Sequence, residues 1–139
     1  MNIAQSQIDE IKSYLSDKIS PFLIILFGSA TKGTMTDSSD IDIAFLSDEN
    51  FDPYNLFMTA QELADKLGRN VDLVDLETAS TVFRVQILSR GKAILDNHPS
   101  RRKLFQMNSF KDYATLNEER QCILDKLSKS STVTKQEAF

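Results

Sequence analysis

Apolar residues along this chain change their spacing several times, and each change marks an element. Ile8, Ile11, Leu15 and Ile19 recur at steps of three and four, which predicts an amphipathic helix over about residues 4–19. Ser20-Pro21 ends it, because proline has no amide to continue the helical ladder. Phe22 to Phe27 is then an unbroken apolar run, too short for a helix and suited to a strand covered on both faces. Gly28-Ser29 cuts it off, and residues 30–39, rich in Thr, Ser, Gly and Asp, predict a short helix or loop. From Asp40 to Leu46 the chain begins by alternating polar and apolar residues, so a second strand is expected with Asp40 and Asp42 on one face.

The second half repeats the alternation of helix and strand. Leu56, Phe57, Ala60, Leu63, Ala64 and Leu67 form a helical stripe closed by Gly68. Val71 to Leu76 predicts a third strand. A helix carrying Val82, Phe83, Val85, Ile87 and Leu88 follows, ending near Gly91, and Ala93-Ile94-Leu95 can add a short edge strand. A last helix over about residues 100–127 uses Leu104, Met107, Phe110, Tyr113, Ile123, Leu124 and Leu127, and a polar tail over 128–139 is expected to be mobile. The fold class is therefore α/β (α+β), a small mixed sheet with helices packed on it, in one domain over residues 1–127.

Composition narrows the choice of function. The 139 residues carry 41% hydrophobic and 26% charged positions, as ordinary globular proteins do. A net charge of −4 gives no electrostatic footprint for grasping a phosphate backbone, so nucleic acid is not the expected partner. One cysteine, Cys122, excludes an internal disulfide, and its place beside Ile123 and Leu124 predicts an inert core thiol. His98, in Asn97-His98-Pro99, predicts a surface turn. No secretory leader pattern and no long apolar run occur, so a cytoplasmic location is expected and a membrane is not.

The candidate chemistry lies in Gly28-Ser29, ten residues, then Asp40-Ile41-Asp42. A glycine after a buried strand lets the chain turn and lets a ligand approach the backbone. The serine adds a hydroxyl and an amide, and a helix starting there would direct free N–H groups at an anion. Asp40 and Asp42, about 6.5–7 Å apart at Cα, can hold one or two hard divalent cations between them. Asp72 brings a third carboxylate on a neighbouring strand, and strand parity favours it over Asp75 as the one that completes the metal site or takes a proton. A glycine-serine turn and a solvent-facing aspartate pair would be the bland explanation. This spacing of four residues arises by chance in on the order of one chain in a thousand of this length, before the flanking strands are considered. Lys32, Arg84 and Arg90 can reach a phosphate but are expected to be solvated, and Arg101-Arg102-Lys103 sits where a helix dipole disfavours cations.

Gly28-Ser29-x10-Asp40-Ile41-Asp42, framed by strands, resembles the signature of the DNA polymerase β-type nucleotidyltransferases. Over about residues 20–96 the chain is similar to the minimal members of that superfamily, antitoxins paired with HEPN-domain ribonuclease toxins. The resemblance implies that Asp40, Asp42 and Asp72 bind Mg²⁺, that Asp40 and Asp42 are catalytic, and that Gly28 and Ser29 contact the nucleotide. It further implies transfer of AMP from ATP to a tyrosine of the toxin, which silences it. Two other classes compete: a nucleotidyltransferase acting on a small molecule of the aminoglycoside kind, and an antitoxin that masks its partner without chemistry. The short chain leaves little material for an acceptor pocket, which favours an acceptor supplied by another protein. Three neighbouring carboxylates repel one another and serve no purpose in mere masking.

Overall fold

The structure, a computed structural model, describes residues 4–28 and 40–130, with the backbone alone given for 123–130. The expected helix or loop over 30–39, Ser29, Lys32 and the expected mobile tail beyond 130 lie outside the described residues. Four strands, β1 (Pro21–Phe27), β2 (Ile41–Ser47), β3 (Val71–Asp75) and β4 (Lys92–Asp96), form one sheet in the order β3-β2-β1-β4. The helices are α1 (Gln5–Lys18), α2 (Pro53–Leu67), α3 (Thr81–Arg90) and α4 (Pro99–Ser130). β1 runs antiparallel to both β2 and β4, whereas β2 and β3 are parallel and joined through α2. A parallel pair needs such a crossover, because a tight turn cannot return the chain to the same end of the sheet.

Period-two patterning decides which helices cover which face. Ile24, Leu26, Ile41, Ile43, Phe45 and Val71 turn to one side, where Ile11 and Leu15 of α1 and Ala60 and Leu63 of α2 bury them. Leu23, Ile25, Ala44 and Leu46 turn to the other, against Leu76 and against Ile87 of α3, with Phe105 of α4 packed on this cluster. β1 and β2 are therefore the doubly covered centre of the sheet, as the unbroken apolar run of β1 predicts. Local signals set the ends of α2: the Asp52 side chain accepts from the Asn55 amide at 2.8 Å, and Gly68 closes the helix at φ 69°.

The basic start of α4 finds its counter-charges within the chain. Arg101 forms a two-pronged pair with Asp48 and stacks over the Phe22 ring at 4.1 Å, and Arg102 donates to Asp96 at 2.7 Å. Tying the helix to the ends of β2 and β4 offsets the unfavourable dipole position of these cations. Arg84 has a structural task too. Its guanidinium donates to the carbonyls of Leu76 (2.8 Å) and Glu77 and lies over Phe105, so it is spent on the turn between β3 and α3 rather than held free for a phosphate.

Three expectations about burial fail. Leu104, Met107 and Phe110 of α4 are 59%, 68% and 40% exposed, because the helix faces α3 through Phe105 and Ser109 instead. Cys122 is exposed rather than in the core, since α4 has run past the sheet and every residue from 117 to 122 is open to solvent. Phe57 is 59% exposed although it adjoins Leu56 in the predicted stripe; neighbours on a helix point about 100° apart and cannot both face the core. Arg84→Ala should lower unfolding stability by about 1–3 kcal/mol through the loss of two charge-assisted hydrogen bonds. Urea unfolding measures that loss.

Candidate active site

The acidic residues assemble because the apolar ones beside them have nowhere else to go. Ile41 and Ile43 of β2 and Val71 and Leu73 of β3 face the α1–α2 side of the sheet, which turns Asp42 and Asp72 to the opposite side. The parallel register sets Asp42 directly opposite Asp72. On its other flank Asp42 pairs with Phe27 of β1, so Asp72, Asp42 and Phe27 form a row across three strands at the ends of β1 and β3 nearest the Gly28 turn. Phe83 of α3 meets the Phe27 ring edge-on at 5.8 Å and walls the row from the helix side. Asp40 lies on the exposed residue preceding β2, not within the strand as expected, though close enough for its charge to act on Asp42. Asp75 stays apart: its side chain accepts the Glu77 amide at 3.0 Å and so organises the following turn.

Gly28 leaves β1 with φ at +70°, a left-handed conformation that glycine alone adopts without strain. A Cβ built on it would overlap Asp42 Oδ2 and lie 3.2 Å from Asp42 Cγ. The glycine is needed twice, once for the turn and once to leave space over the carboxylate. Ser29, its expected companion, belongs to the segment outside the described residues.

Burial pushes the Asp42 carboxyl up from its ordinary 3.8 to about 6, and the negative charges of Asp72 and Asp40 and a hydrogen bond shared with Asp72 add to the shift. Every one of these influences disfavours the charged form. A carboxylate cluster of this kind calls for a cation. Among the described residues no three acidic, histidine or cysteine side chains converge into a ready-made cage. An all-oxygen set of two paired carboxylates and a third nearby suits magnesium, which keeps waters and takes its remaining ligands from phosphates.

Sequence reasoning missed the neighbours of the acidic row. A groove of about 670 Å³ runs beside Asp72, walled by Leu56 and Phe57 of α2, by Thr78 and Ala79 of the turn after β3, and by Phe83. The signal for Phe57 was the pair of adjacent large apolar residues at 56 and 57, one of which had to point outward.

Two measurements check this geometry. Gly28→Val should displace the Asp42 carboxylate and weaken ATP binding about tenfold or more, read by calorimetry with magnesium present. The raised Asp42 value also fixes a pH dependence. The folded state holds this proton more tightly than the unfolded chain, so the associated stability is complete below pH 3.8 and is lost as pH rises through about 6. Asp42→Asn escapes that loss. After solvent screening at a half-buried carboxylate, the variant should exceed wild type by about 1–2 kcal/mol at pH 8 and by nothing at pH 3.5. Denaturant titrations at the two pH values test the sign.

The model of the polymerase β nucleotidyltransferase family matches residues 9–100. The protein adenylyltransferase MntA of Shewanella oneidensis is 42% identical over 103 residues, which cover 74% of this chain and 73% of that one. A crystal structure of a toxin–antitoxin with AMP-PNP superposes with a TM-score of 0.78 at 38% identity, over 87% of this chain and 98% of the other. A structure of a tri-AMPylated Shewanella oneidensis HEPN toxin in complex with its MNT antitoxin matches at a TM-score of 0.74 and 36% identity, over 89% and 98% of the two chains. With the signature residues Gly28, Asp40 and Asp42 and the acidic pair in register, the chain belongs to the polymerase β-type nucleotidyltransferase family of enzymes.

Proposed function

We propose that this protein is an antitoxin that transfers AMP from ATP to a tyrosine of a HEPN-domain ribonuclease toxin, in the cytoplasm and with Mg²⁺. The observation that carries the reading is the register pairing of Asp42 with Asp72 beneath the Cβ-free turn at Gly28. Relatives named for protein adenylylation and for complexes with a HEPN toxin support the choice of acceptor.

In this mechanism Gly28 and Ser29 receive the triphosphate, and a side chain at position 28 would displace the Asp42 carboxylate beside it. Asp40, Asp42 and Asp72 are the residues that would hold Mg²⁺. When bound, the cation offsets the charge of carboxylates and phosphates and so favours attack on the α-phosphate. Asp72, beside the open groove, takes the proton of the tyrosine hydroxyl. The tyrosine oxygen bonds to the α-phosphorus, the bond from that phosphorus to the bridging oxygen breaks, and pyrophosphate leaves.

Masking without chemistry is the second reading, favoured by the exposed Leu104, Met107 and Phe110 on α4, which suit a docked partner. Combining Asp40→Ala with Asp42→Ala separates the two. Intact mass of the cognate HEPN-domain toxin, after incubation with ATP, Mg²⁺ and a substoichiometric amount of this protein, should rise by one or more AMP units with wild type. With the double variant the rate should fall by about a thousandfold or more. Equal neutralisation of the toxin by both proteins, with no mass change, would establish masking. Magnesium alone at pH 8 should raise the melting temperature of wild type and leave that of the double variant unmoved.

A further inference from the structure

β3 is an edge strand, and its hydrogen-bonding groups can be assigned from two bonds at its ends. The Ile41 amide donates to the Asn70 carbonyl at 2.9 Å, and the Leu76 amide donates to the Phe45 carbonyl at 3.1 Å. In a parallel ladder the groups of one strand alternate between its two sides. Residues 70, 72, 74 and 76 therefore spend their backbone groups on β2, while Val71, Leu73 and Asp75 direct theirs outward. The Asp75 carbonyl is taken by the amides of Thr78 and Ala79. Among the described residues nothing bonds to the outward groups of Val71 and Leu73.

This open edge forms the floor of the groove beside Asp72. The walls belong to opposite sides of the sheet, Leu56 and Phe57 on the α2 side, Ala79 and Phe83 on the side of the acidic row. β3 carries two charges, Asp72 and Asp75, but among the described residues no strand pairs with its outer side. Here the edge is flanked by exposed aromatic rings, Phe57 at 59% and Phe83 at 36%. An extended backbone can meet the free groups of Val71 and Leu73 together, whereas a nucleotide base spans only part of that row.

We propose that the outer edge of β3 receives an extended segment of the acceptor protein as a fifth strand, which sets its tyrosine beside Asp72. The inference rests on the protein-adenylylation reading above and names where its acceptor docks. A strand added at this edge lies about 4.8 Å from β3, and its side chains alternate between the two faces. A tyrosine aligned with Asp72 projects on the same face as Asp72 and Asp42. The residues on either side of that tyrosine fall on the α2 side, against Leu56 and Phe57. The preferred acceptor is thus a tyrosine between two apolar residues in an extended stretch, and the match of groove to acceptor is a matter of register as well as of composition.

The test uses the full-length protein and its cognate HEPN-domain toxin. Phe57→Glu places a charge on the α2 wall at a side chain already exposed, so the melting temperature should match wild type. KM for the toxin should rise about tenfold or more while the dissociation constant for ATP with Mg²⁺ stays within about twofold. Amide hydrogen exchange, with the toxin's acceptor tyrosine replaced by phenylalanine, should slow at Val71 and Leu73 on complex formation by about tenfold or more and change less at Asp72 and Val74. A loss of ATP affinity with the toxin KM unmoved would assign the groove to the nucleotide and overturn the proposal. So would an unchanged KM, or equal exchange at odd and even positions of β3. If wild type transfers no AMP to the toxin, the adenylylation reading itself falls and takes this inference with it.

Discussion

The parallel register between β2 and β3 is the constraint on which the site depends. Ile41, Ile43 and Phe45 of β2 and Val71 and Leu73 of β3 must all face α1 and α2. Their alternation leaves Asp42 and Asp72 facing the other way. A slip of β3 by one residue would carry Asp72 into the apolar layer and bring Val71 and Leu73 out. Hydrophobic burial thereby holds together two like charges that would otherwise separate. The site's electrostatic tension is maintained by packing on the far side of the sheet.

That arrangement explains why the fold and the site are hard to separate. Gly28 ends the central strand and also leaves the space over Asp42. Phe27 belongs to the apolar cluster under α3 and also flanks the acidic row. Arg84 fastens the turn after β3 to α3, and so steadies the wall that Phe83 and Ala79 supply. Each of these residues answers two demands, and a substitution chosen to probe one will disturb the other.

Much of this was legible in the chain because it depends on short-range periodicity. The unbroken run from Phe22 to Phe27 announced a strand covered twice, and parity along Val71–Asp75 separated Asp72 from Asp75. Sheet order was not legible, since pairing β4 with β1 rather than with β3 depends on contacts far apart in sequence. Asp40 proved to precede its strand rather than sit within it, because alternation does not show where a ladder begins. The paired charges of Arg101 and Arg102 with Asp48 and Asp96 were equally hidden, as the partners lie on other elements. Leu104, Met107, Phe110 and Cys122 misled for a different reason. Apolar spacing marks a helical face, but it does not say whether anything covers that face.

α4 is 32 residues long, about 48 Å at helical rise, while the seven-residue strands span about 23 Å. Its first part is held by α3 and by the arginine pairs, whereas residues 117–122 touch solvent on every side. A helix without tertiary support persists only by its own propensity, which in water is marginal over a few turns. The stretch of α4 over residues 117–122 therefore draws its stability from helix propensity rather than from packing on the sheet, and local opening there costs less than opening of the core. Two kinds of stability thus meet in one chain, burial in the sheet and backbone propensity in the exposed stretch of α4 over 117–122.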